Sequence, residues 1–345
     1  MRAARDTVKA LAAAGLAALV LALFAPWGDA RASDDSDSVQ ARGRALTHWL
    51  STGQFDRVLD AMSPQLRATV GGHEGLARLV QARDAQAGEE ITLVNEAAYH
   101  ERGLVDYYRI ARHATLPASQ TVTTQWLWQP GGAVVGLRIS PTPQPAPTQR
   151  LEYRTKTSLA LPFEDRWYVA WGGQAAHQNH HLPSPDQRFA YDLLVLRDGR
   201  SHVGTGRSNA DYFCFGRPVL APAAGRVTSA VDGVPDNVPG AMREDKPAGN
   251  HVVIDHGNGE HSLLAHLRHG SMAVKTGDTV ARGEQLGECG NSGRSSEPHL
   301  HYHLQTAPVF GEGEGLPAAF VDYFSGGEHR ARGEPVRGEV IHRLP

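Results

Sequence analysis

The chain has 345 residues, a formal net charge of −3 and only two cysteines, Cys214 and Cys289. This length suits about two domains. Its mild acidic balance gives no electrostatic case for nucleic-acid binding, and the lack of a Cys-x-x-Cys pair argues against a cysteine-based zinc finger.

A basic start (Arg2, Arg5, Lys9), an apolar run from Leu11 to Pro26 and the small residues of Ala30-Arg31-Ala32 have the layout of a secretory signal peptide over 1–32. The alternative is an uncleaved anchor, since the run is near the lower limit for a membrane span. Either reading places the remainder outside the cytoplasm, in the periplasm or the extracellular space. Cleavage after Ala32 removes four basic and two acidic side chains, leaving 313 residues with a formal charge of −5. An oxidising compartment allows Cys214 and Cys289 to pair, or they remain two unpaired, partly buried packing residues.

After the polar stretch Asp34–Ser38, apolar residues recur at helical spacing: Leu46, Trp49 and Leu50, then Phe55, Val58, Leu59 and Met62, with Gly53 as a break. A further helix is predicted over 74–86. From Ile91 the rhythm alternates, with strands predicted over 105–110, 122–128 and 133–139 and a turn at Pro130-Gly131-Gly132. Helices followed by strands give a small α+β domain over 38–140, loosely resembling the cone-shaped nuclear-transport-factor-2-like domains. His48, His73, His100 and His113 are scattered through it and read as solvated or locally bonded.

A proline-rich spacer, 141–149, separates this domain from the rest. Strands are predicted over 151–161 and 167–171. Short apolar runs such as Val252-Val253-Ile254 and Leu263-Leu264 then alternate with glycine and proline. That pattern predicts an all-β, antiparallel sandwich or barrel-like domain over 150–325, followed by a tail over 326–345.

Fourteen of the 18 histidines lie at or after His177. His299, His301 and His303 alternate in Glu297-Pro298-His299-Leu300-His301-Tyr302-His303-Leu304, which on a strand lines three imidazoles along one face. Such a stripe suits a metal ion beside a proton-transfer group, and zinc accepts imidazole nitrogen and carboxylate oxygen while leaving a position for water.

These histidines close an ordered series. Gly216-Arg217-Pro218-Val219-Leu220-Ala221-Pro222 is followed by Gly249-Asn250-His251-Val252-Val253-Ile254-Asp255-His256-Gly257, Ala265-His266-Leu267 and Gly277-Asp278-Thr279-Val280. Gly287-Glu288-Cys289-Gly290-Asn291-Ser292-Gly293 and Pro298-His299-Leu300-His301 complete it. Over about 160–306 the chain resembles the M23, or LytM-type, lysostaphin-like zinc metallopeptidases. The resemblance implies one zinc ion with His301 as a ligand, His266 and His299 as the catalytic pair, and Asp192 as the carboxylate ligand.

The family's remaining histidine usually stands four residues before the aspartate, but Arg188 occupies that position. His181 is favoured in its place, with His180 and His177 as alternatives. His303 occupies a position where the family often carries an acidic residue, and it reads as a group supporting a ligand or lining the groove. His251, His256, His261 and His269 read as surface or supporting groups. The implied activity is hydrolysis of peptide cross-links or stem peptides in bacterial peptidoglycan. Bonds between a D-amino acid and diaminopimelate are preferred over glycine bridges or a non-wall protein. The competing implication is an inactive LytM-type protein that activates another cell-wall hydrolase. No His-Glu-x-x-His helix is present, which excludes a thermolysin-like arrangement.

Overall fold

The computed structural model describes residues 36–344, so the expected signal segment lies outside the described residues. Among the described residues no helix is long and apolar enough to cross a membrane. The chain divides into two compact units between Thr142 and Pro143.

The first unit runs α1 (Ser36–Ser51), α2 (Phe55–Ala61), α3 (Pro64–Val70), α4 (Gly72–Ala87), then β1 (Glu90–Glu101), β2 (Leu104–His113), β3 (Val122–Trp128) and β4 (Val134–Pro141). The four strands form an antiparallel sheet in chain order. Leu46, Leu50, Val58 and Leu76 of the helices bury against Tyr107, Trp126, Trp128 and Ile139 of the sheet, and Trp126 Nε1 donates to Thr47 Oγ1 at 3.0 Å. The sequence reading missed α3, whose only buried residues are Leu66 and Val70, too few to register as a period. Its signals are terminal: Ser63 accepts from Leu66 N–H, Pro64 occupies the first turn, and Gly71 ends the helix in the left-handed region.

The second unit is almost entirely β. Its strands are β5 (Trp167–Trp171), β6 (Tyr191–Leu194), β7 (Pro218–Leu220), β8 (Gly225–Val231), β9 (Asn250–Asp255), β10 (His261–Leu267), β11 (Thr279–Val280), β12 (Gln285–Glu288), β13 (Leu300–Gln305), β14 (Gly315–Leu316), β15 (Phe320–Ser325), β16 (Glu328–Gly333) and β17 (Val340–Arg343). An antiparallel sheet runs β11-β8-β9-β10-β13-β6-β5-β17-β15-β16, with β14 also on β13, while β7 and β12 form a separate pair. The architecture is thus an all-β antiparallel domain preceded by a small α+β domain.

Two predicted boundaries differ. The strand predicted over 151–161 is absent, and only Leu159 makes an isolated bridge, to Phe320. The backbone there is held by a side chain instead: the Glu260 carboxylate accepts from the N–H groups of Lys156 and Thr157 and from Tyr153 Oη. The segment expected as a tail over 326–345 carries β16 and β17, and β17 lies between β5 and β15. Ile341 is fully buried there, a single anchor too sparse to read as a strand from its neighbours.

Alternation along the central strands explains where the site forms. Leu300, Tyr302 and Leu304 of β13 enter the main core, as do Leu264 of β10 and Leu193 of β6, so His301, His303, Gln305 and Asp192 take the other face. The glycine-rich turn before β13 allows close backbone approach: a Cβ on Gly290 would sit 2.3 Å from the Arg268 backbone.

Candidate metal centre

Asp192 sits on β6 directly opposite His301 of β13. Asp192 Oδ1 is 2.9 Å from His301 Nδ1, 3.6 Å from His181 Nε2 and 3.6 Å from His299 Nε2. His180 Nε2 approaches the other oxygen, Oδ2, at 3.8 Å. One ligand atom from each of His180, His181 and Asp192 lies within 4.8 Å of the others, in a cluster suited to a metal ion. His266 completes the group, with its ring 4.7 Å from that of His299 and 5.7 Å from that of His301. All five residues expected at the site, His181, Asp192, His266, His299 and His301, are therefore brought together.

His266 reaches this face through a break in the strand. Its neighbour Ala265 pairs directly with His301, so simple alternation would turn residue 266 the other way. The β9–β10 register slips between Leu264 and Leu267, and His266 itself adopts φ +62°. A left-handed non-glycine residue is a strained conformation of the kind that collects at functional sites, and here it re-aims the imidazole toward His299.

The hydrogen bonds on the far side of each ring fix which nitrogen faces Asp192. The buried amide nitrogen of Asn179 donates among the carbonyls of Gly173, Arg188 and Ala190. Its Oδ1 therefore accepts, from the His181 backbone N–H at 3.0 Å and from His181 Nδ1 at 2.9 Å. That leaves the lone pair of His181 on Nε2, toward Asp192. In the same way His266 Nδ1 donates to Ser292 O at 2.8 Å and His299 Nδ1 to Glu297 O at 2.8 Å, so both present a bare Nε2.

His301 is set through a longer chain. Gln305 Nε2 donates to Ala307 O and Val309 O, which leaves its Oε1 to accept from His303 Nε2 at 2.8 Å. His303 Nδ1 then accepts from His301 Nε2 at 2.9 Å, and the lone pair of His301 falls on Nδ1, against the Asp192 carboxylate. Two acceptors at 2.9 Å repel unless a cation, a proton or a metal ion, lies between them. Three imidazole lone pairs and a buried carboxylate converging without an intervening donor are the donor chemistry of a zinc site.

Burial would raise the Asp192 carboxyl, and it is held well below the usual carboxylate range only where protons on His181, His299 and His301 face it, so the buried anion depends on a cation at this point. Burial pushes His181 and His266 well below the ordinary histidine value, favouring neutral, ligating or proton-accepting rings. His303 is completely buried, and desolvation with the neighbouring His301 pushes it down to about 3.

The other candidates fall elsewhere. Arg188 points away from the site and donates to Ala146 O, a residue of the proline-rich segment. His177 is buried, and its carbonyl accepts from Arg337. His251 Nδ1 and His256 Nδ1 donate to the backbone carbonyls of Gly249 and Ala224, His261 lies 3.7 Å from Asp255, and His269 is exposed. Cys214 and Cys289 are both buried and unpaired as thiols, and Cys214 donates to Pro298 O beside His299. The sequence reading missed two residues, Asn179 and Gln305. The same two-residue alternation that marks His299, His301 and His303 extends one step to Gln305, whereas Asn179 lies in a turn with no period to mark it.

Three histidines outside the ligand group, His177 buried and His251 and His256 partly buried, give a pH dependence. Desolvation, with Arg337 adding to it, pushes His177 down to about 4, and desolvation also lowers His251 and His256. Each binds a proton in the unfolded chain below about pH 6.5 that it refuses when folded. The unfolded state then holds more protons, so stability is full above about pH 6.5 and is lost as pH falls toward the folded values. The melting temperature of chelator-treated protein is expected to drop between about pH 7.5 and about pH 4.5, and a flat profile would contradict this.

The family model for Peptidase family M23 matches residues 208–311. This segment, residues 208–311, is thus similar to peptidase family M23. The match covers β7 to β13 and includes His266, His299 and His301, while His181 and Asp192 lie before it. Among curated relatives, the peptidoglycan DD-endopeptidase ShyA of Vibrio cholerae is 45% identical over 69 residues, which are 20% of this chain and 16% of ShyA. The DD-carboxypeptidase/endopeptidase Mpg of Neisseria meningitidis serogroup B is 48% identical over 120 residues, 34% of this chain and 23% of Mpg. The chain thus spans less than a quarter of the length of either relative. Among solved structures, the catalytic domain of the prophage-encoded M23 protein EnpA from Enterococcus faecalis aligns with 46% of this chain and 95% of its own, at 18% identity and a TM-score of 0.31.

Proposed function

We propose that the protein is a zinc-dependent endopeptidase that cuts peptide cross-links or stem peptides of bacterial peptidoglycan outside the cytoplasm. The observation that carries this reading is the convergence of imidazole nitrogens from His181, His299 and His301 on the buried Asp192, with the His266 ring beside those of His299 and His301. The match of residues 208–311 to the M23 family model, and relatives named as a peptidoglycan DD-endopeptidase and a DD-carboxypeptidase/endopeptidase, support the substrate class.

In this reading His181, Asp192 and His301 hold one zinc ion, and His266 and His299 assist. Zinc, when bound, polarises a scissile carbonyl and lowers the pKa of water. His266 and His299 are anchored through Nδ1 on backbone carbonyls and keep Nε2 facing the site. A proton accepted at Nε2 of either ring from the attacking water can be passed to the leaving amine. An imidazolium formed there also stabilises developing negative charge on the scissile oxygen. Since burial favours neutral His266, that ring begins the cycle able to accept.

The test uses residues 33–345, zinc analysis and purified sacculi. The expected result is about one zinc per chain and release of cleaved muropeptides that stops on chelation. A protein that binds no zinc and releases nothing would overturn the proposal. One that binds sacculi or stimulates another hydrolase without cutting would replace it with the activator reading.

A further inference from the structure

We infer that Gln305, acting through His303, is a positioning residue that fixes His301 with its Nδ1 lone pair toward Asp192. The inference rests on the zinc-site reading above and concerns a support that reading does not require.

Three facts give the relay a direction. Gln305 is completely buried, and its two amide hydrogens are committed to Ala307 O at 2.7 Å and Val309 O at 3.0 Å, so only its oxygen faces His303. His303 is also completely buried, with one ring nitrogen on Gln305 and the other on His301. Reversing the chain would set a bare His303 nitrogen against a carbonyl oxygen, leaving two buried acceptors face to face. The polarity therefore runs from His301 Nε2–H to His303 Nδ1 and from His303 Nε2–H to Gln305 Oε1. The carbonyls of Ala307 and Val309, just beyond β13, orient a ring on the far side of two side chains.

The register favours this arrangement. His301, His303 and Gln305 occupy successive same-face positions on β13, opposite Ala265, Leu263 and His261 of β10. Leu263 and Ala265 belong to a small apolar cluster joined by Phe310, which keeps water from competing for the relay bonds. Groups behind a metal-bound histidine set its tautomer and raise its basicity.

The test compares Gln305→Leu, His303→Leu, His303→Gln and the Gln305→Leu/His303→Leu double variant by zinc titration against a competing chelator. Thermal unfolding of each metal-free protein accompanies the titrations. Gln305→Leu and His303→Leu are expected to lose about 10- to 100-fold in zinc affinity. His303→Gln, whose amide can accept from His301 and donate to Gln305, is expected to keep most of it. The double variant should be no worse than His303→Leu alone, because Gln305 acts through His303. Nitrogen-15 spectra of the metal-free imidazoles should show His303 only as the Nε2–H tautomer in the unmodified protein and a mixture in Gln305→Leu.

Unchanged zinc affinity and tautomer in Gln305→Leu, or additive losses in the double variant, would overturn the inference. If Gln305→Leu fails to fold, equal affinities for His303→Gln and His303→Leu would overturn it. Failure of the unmodified protein to bind zinc would instead sink the zinc-site reading itself.

Discussion

Asp192→Asn is expected to abolish zinc binding and peptidoglycan cleavage while leaving the metal-free fold at least as stable as before. Asp192 is the common neighbour of His180, His181, His299 and His301, and an amide at that position supplies no anionic ligand. A bound metal contributes several kcal/mol to transition-state stabilisation, so the loss in cleavage rate should reach about 10³-fold or more. Stability should move differently. In the metal-free protein the carboxylate faces imidazole lone pairs, notably His301 Nδ1 at 2.9 Å, and it is buried. An isosteric amide removes that buried charge and can donate to the His301 lone pair. The checks are zinc content, muropeptide release and thermal melting with chelator present. A variant that still binds zinc as tightly, or a metal-free variant that melts far lower, would contradict the assigned role.

The second large effect distinguishes His181 from its neighbours. His181→Ala is expected to reduce zinc below stoichiometric levels and remove cleavage, whereas His180→Ala and His177→Ala should retain zinc. His181 is buried and locked by Asn179, with Nε2 toward Asp192 Oδ1, the oxygen shared with His299 and His301. His180 is half exposed, approaches Oδ2 instead and packs edge-on against Trp171. Holding an exposed ring as a ligand costs more conformational entropy than holding one already fixed. Zinc loss in His180→Ala with retention in His181→Ala would transfer the ligand role to His180.

These two experiments meet where sequence reading was weakest. The His299, His301 and His303 stripe is legible because a strand has a period of two and its apolar partners Leu300, Tyr302 and Leu304 fill the alternate positions. Asp192 is legible as an acidic residue within the apolar run Tyr191–Leu194, where burial demands partners. The arrival of His181 eleven residues before Asp192 is not legible, because it depends on a turn whose shape is set by the Asn179 amide and three backbone carbonyls. Nor is the strand at 340–343, whose pairing with β5 and β15 is non-local. The predicted strand over 151–161 failed for the converse reason: a suitable pattern met Glu260 rather than a neighbouring strand.

Residue order by itself determined an α+β domain followed by an antiparallel β domain, and it identified the chemical types gathered at the site. Local periodicity and burial preference are properties of neighbouring residues, so they can be read along the chain. Tertiary structure alone decided that His266 turns out of the strand alternation, that Asn179 aims His181, and that Gln305 and His303 aim His301. Each of those outcomes depends on where backbone carbonyls and paired strands come to lie in the folded chain, and a residue's period does not state which way its ring is turned.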